Sequence, residues 1–70
     1  MSMEKKEFIL KDLTGRGFSA EYDIDEISNL EKDLIKTGDL ETGDSLEDWA
    51  ESAEIGDEFV ERTFKIIRIK

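Results

Sequence analysis

The chain reads as a single α+β domain of order ββααβ: an N-terminal β-hairpin and a C-terminal strand form a three-stranded sheet, with two helices on one face. Three observations predict this. Residues 18–24 alternate apolar and polar with a period of two, two later segments repeat their apolar residues at helical spacing, and glycines fall at the joints between them.

Phe8-Ile9-Leu10 followed by Leu13 makes the first strand. In the second, Phe18, Ala20, Tyr22 and Ile24 face a core while Ser19, Glu21 and Asp23 face water. Between them, Gly15 and Gly17 supply the positive φ angles of a tight connection. Asp25 is the expected N-cap of the first helix, which carries Ile27, Leu30 and Leu34 on one side and stops before Gly38, with Lys32 and Lys36 near its negative end. After a loop over residues 38–44, Asp44 or Ser45 caps a shorter helix. Its inner line is Leu46, Trp49, Ala50 and Ala53, with Trp49 as anchor. Gly56-Asp57 ends it, and residues 59–69 read as one closing strand, reached through the helices and parallel to the first.

That last strand points Phe64 and Ile66 to one face and Ile67 and Ile69 to the other, so it is either central in the sheet or bulged. On the face without helices, Ile9, Leu13, Ile67 and Ile69 form an apolar patch, a candidate surface for a partner or for a homodimer.

Seventy residues support one thin core, since a chain this short buries only about 60% of the surface its unfolded form exposes. One domain over residues 1–70 is expected, with residues 1–5 flexible and an acidic loop and helix over 38–58. There is no cysteine and no histidine, which removes disulfides and the usual zinc ligands. Neither a metal nor another cofactor is implied. The apolar runs fall far short of the roughly 20 residues a membrane helix needs, and the basic start has no apolar segment behind it, so a cytoplasmic protein without membrane contact is expected. Without histidine to shuttle protons or cysteine as nucleophile, only carboxylates remain for catalysis, in a core too small to frame a water-excluding cleft. A non-enzymatic role follows.

The net charge of −9 is concentrated. Residues 37–61 hold Asp39, Glu41, Asp44, Glu47, Asp48, Glu51, Glu54, Asp57, Glu58 and Glu61 and no lysine or arginine, while the last nine residues hold Arg62, Lys65, Arg68 and Lys70 and no acid. On the second helix, Glu47, Asp48, Glu51 and Glu54 cover the outer face. Glu47 with Glu51 and Glu51 with Glu54 are like charges one turn apart, costing a few tenths of a kcal/mol per pair, and the last two also oppose the helix dipole. Folding alone would not select this pattern. It serves either as a solvated face that keeps the chain soluble or as a docking surface for a basic protein.

The docking reading takes Asp39, Glu41, Asp44, Glu47, Asp48, Glu51, Glu54, Asp57 and Glu58 as partner-binding residues. One form of it is an inhibitor whose carboxylates stand in for nucleic-acid phosphates on a nucleic-acid-binding protein, a role suited to a small phage or mobile-element product. Direct nucleic-acid binding is not expected, because this chain would repel phosphates. The alternative is an assembly module that self-associates through the apolar sheet face. Two motifs fail on spacing. Counting Asp39 as position 1 of a calcium loop puts Asp44 where glycine is needed and Ala50 where glutamate is needed, and Gly15-Arg16-Gly17 opens no helix as a phosphate loop would.

Overall fold

The computed structural model describes residues 5–41 and 45–70. Their elements are β1 (Glu7–Asp12), β2 (Ser19–Asp23), α1 (Ile24–Thr37), α2 (Leu46–Ser52), β3 (Glu58–Val60) and β4 (Phe64–Arg68). The α+β class and the N-terminal hairpin agree with the sequence, whereas the strand count does not. Four strands form one sheet in the order β2-β1-β4-β3, every neighbouring pair antiparallel.

The difference arises at residues 61–63. The sequence presents 59–69 as one strand, but the chain turns back there, and the Glu61 N–H donates to the Phe64 carbonyl at 2.8 Å. This extra reversal brings β4 in antiparallel to β1, so the parallel crossover expected from the sequence does not form. Neither glycine nor asparagine marks the turn. Among the described residues no non-glycine takes a positive φ, so the turn avoids the conformations that an Asn-Gly pair would announce.

The placement of β4 also explains its two apolar faces. It is a central strand with unbroken register on both sides, Ile66 lying opposite both Leu10 and Phe59. Phe64 and Ile66 are buried under the helices, and Ile67 stands opposite Ile9 on the bare face. No bulge is needed.

At the β1–β2 connection, Gly15 and Gly17 take φ of 91° and 72°, as the hairpin reading requires. The chain then passes from β2 into α1 without a loop. The N-cap is Asp23, not Asp25: its Oδ1 accepts the Glu26 N–H at 3.0 Å while Glu26 Oε1 accepts the Asp23 N–H at 3.1 Å. Three residues on from Asp25 stands Ser28, which cannot return such a bond, so the reciprocal capping box selects the earlier aspartate. Gly38 closes α1 in the left-handed region at φ 85°. Leu40 then folds back, its N–H on the Leu34 carbonyl at 3.1 Å, and is buried, so a residue assigned to loop joins the core.

Both helices lie on one face of the sheet. Phe8, Ile27, Leu46 and Ile66 are fully buried at the centre, each contributing roughly 1.5–3 kcal/mol by removal from water. Trp49 turns inward from α2 and stands between Phe8 and Phe59, ring centroids 5.7 and 5.5 Å away, in tilted contacts that tie the helix to both halves of the sheet. No polar or charged residue is buried among those described. On the other face Ile9 and Ile67 are partly covered, and Leu13, Val60 and Ile69 are exposed.

Candidate functional site

The candidate site is the outer side of α2 with the turns that flank it. Because Leu46 and Ala50 are buried and Trp49 packs inward, helical geometry leaves Glu47, Asp48 and Glu51 on the opposite side, with Glu54 just past the last turn. All four are exposed. The carboxylates of Glu47, Glu51 and Glu54 have no hydrogen-bond or ion-pair partner among the described residues, while Asp48 accepts the Ser45 hydroxyl at 2.7 Å. Ser45 is the N-cap by position, but its side chain caps no backbone N–H. Asp44, the other expected cap and a proposed contact residue, lies outside the described residues.

The remaining acids divide by surroundings. Glu41 is exposed beyond Leu40. Asp39 accepts the Thr37 hydroxyl at 2.8 Å and the Thr63 hydroxyl at 3.2 Å, tying the end of α1 to the β3–β4 turn. Asp57 accepts the Glu54 N–H at 2.9 Å and donates its own N–H to the Glu54 carbonyl, closing the turn after α2. Glu58 stands 3.7 Å from Lys65. Since its neighbour Phe59 faces Trp49, the strand pleat puts Glu58 on the bare face of the sheet, opposite α2. The nine acids are therefore not one surface: the structure gathers Glu47, Asp48, Glu51 and Glu54, uses Asp39 and Asp57 as braces, and sends Glu58 to the other side.

How the fold tolerates an all-acidic helix is visible at its ends. The last turn of α2 contains no basic residue, yet Lys6 Nζ donates to the Glu51 carbonyl and Arg68 Nη1 donates to the Ala53 carbonyl at 2.7 Å. Two cations, Lys6 just before β1 and Arg68 at the end of β4, thus meet the negative end of the dipole. At the other end, Glu31 of α1 accepts the Glu47 N–H at 3.3 Å. Sequence reasoning missed these three residues because each lies far along the chain from α2. The basic C-terminal segment is engaged in the same way, with Arg68 on α2, Lys65 beside Glu58 and Lys70 3.4 Å from Glu7.

Among the described residues no group of acidic side chains is arranged to hold a metal ion, and no helix is long and apolar enough to cross a membrane. The chain matches no protein-family model, no curated protein and no solved structure.

Proposed function

We propose that the chain is a small, non-catalytic binding protein that docks the outer face of α2 on a basic surface of another protein. The observation that carries this reading is the set of unpaired carboxylates on Glu47, Glu51 and Glu54, held outward as like charges one turn apart on a helix whose negative end is met by Lys6 and Arg68. A face of this kind raises association rates and makes binding sensitive to salt. A nucleic-acid-binding protein is one suitable partner, its phosphate-contacting groove taking these carboxylates in place of phosphates.

The test is affinity capture from the source cells with the wild-type chain and with a Glu47→Gln, Glu51→Gln, Glu54→Gln variant, at low and high salt. A partner held by the wild type at low salt should be released by salt and lost from the variant. Equal capture by both chains would reject the reading.

A second reading rests on the bare sheet face, where Ile9 and Ile67 lie directly opposite each other with Val60 and Ile69 exposed nearby. Self-association there would persist in high salt, because apolar contacts are not screened. Light scattering showing a monomer at all concentrations would count against it.

A further inference from the structure

Phe18 has the wrong surroundings for the face it occupies. The period-two pattern puts it in line with Ala20 and Tyr22 on the core side, yet β2 begins one residue later and Phe18 remains 56% exposed. Beside it a groove of about 330 Å³ opens between the β1–β2 loop and the C-terminal end of α1. Its floor is apolar, formed by Leu10, Leu30 and Phe64, which are buried, with Tyr22 and Leu34 partly open to it. A concavity with an apolar floor and a few fixed polar groups is the usual form of a binding site.

Two of those polar groups are carboxylates, each held in place by hydroxyl or amide donors. Asp12 accepts the Thr14 hydroxyl at 2.8 Å and the Arg16 N–H at 2.9 Å, and Asp39 accepts the hydroxyls of Thr37 and Thr63. Hydroxyls and amides orient a carboxylate without cancelling its charge, and Asp12 also feels a cation, that of Arg16. Arg16 is the one cation on the rim among the described residues, against these two acids. The complement of such a groove is a large apolar side chain with a positive charge next to it.

We infer that the groove seats one aromatic or large aliphatic side chain of the basic protein partner, between Phe18, Tyr22 and Leu34, while a lysine or arginine adjacent to it in the partner's sequence meets Asp39 and Asp12. This rests on the acidic-surface reading and adds a second, separate anchor point, since Asp39 stands at the end of α1 beside Thr37 and Thr63 and not with the α2 carboxylates. Salt-sensitive attraction brings the partner in, and burial of Phe18 holds it.

The experiment uses three synthetic peptides, Lys-Lys-Trp-Lys-Lys, Lys-Lys-Ser-Lys-Lys and Glu-Glu-Trp-Glu-Glu, titrated into the isotopically labelled chain and followed by its amide NMR signals. The first should shift Phe18, Tyr22, Leu34 and Asp39, the second only the acidic positions of α2, and the third nothing. Phe18→Ser, a surface change that leaves the other signals dispersed, should weaken the first peptide by at least about fivefold and leave the second unchanged. Asp39→Asn, which keeps an oxygen for one threonine hydroxyl and turns its amide N–H to the other, should weaken the first peptide more at low salt than at high salt. The inference is overturned if the two basic peptides shift the same amides, if the groove signals stay still, or if the acidic peptide binds as well as the basic one. Failure of the acidic-surface reading looks different: neither basic peptide would move Glu47, Glu51 or Glu54.

Discussion

Asp12 shows how one side chain can organise a loop. With the Thr14 hydroxyl first and the Arg16 amide behind it, the carboxyl is held below its ordinary value of 3.8. Because the folded-state value is depressed, the stabilisation is present above the unfolded value and is lost as pH falls through the folded one. Thr14→Val should move the Asp12 midpoint up toward 3.8 in a carboxyl NMR titration; an unmoved midpoint would mean the hydroxyl is not the cause. Trp49 is the second residue on which much depends. Trp49→Ala empties the space between Phe8 and Phe59, and a half-buried tryptophan should cost about 2–3 kcal/mol in urea denaturation, out of roughly 3–10 for a chain this size. Its inward orientation was legible from Leu46, Ala50 and Ala53 at helical spacing. Phe18 was not, because alternation tells which side a residue takes and not whether anything lies over it.

Among the elements, the helices were read nearly as they are, since their apolar spacing and Gly38 carry the signal locally. The N-cap of α1 was misplaced by two residues although the sequence held the answer, Glu26 standing three positions after Asp23. The β3–β4 turn was legible nowhere, because Glu61-Arg62-Thr63 is ordinary strand or helix composition and the reversal is imposed by pairing with β1. The ends of α2 were equally hidden, being completed by Glu31, Lys6 and Arg68 across the fold. Arg68→Met keeps the apolar stem but removes the cation from the Ala53 carbonyl. It should destabilise the chain by about 1.5–2 kcal/mol, a value expected for a hydrogen bond from a charged group. Amide exchange should quicken in α2 more than in α1; equal acceleration in both helices would show that the contact does not support α2 in particular.

For the whole molecule, the ion pairs among the described residues all lie away from α2. Lys5 pairs with Asp25 at 2.5 Å, Lys70 with Glu7 and Lys65 with Glu58, all partly or largely exposed and worth little each. Among the described residues, none forms an ion pair with the outer side of α2. The Glu47→Gln, Glu51→Gln, Glu54→Gln variant should therefore be more stable than the wild type by about 0.3–1 kcal/mol, with the gap narrowing as salt is added. Urea melts at two ionic strengths would check it. A variant less stable than the wild type would mean that these acids support the fold, and the stability argument for a docking role would go with it.

Because α2 is gripped from outside at both termini and pinned through one indole, nothing on its outward side is needed to keep it in place. Mutation can rewrite those positions one after another without disturbing the grip. Such a segment is an exchangeable label on a fixed mount, and its outward positions are free to vary without loss of the fold.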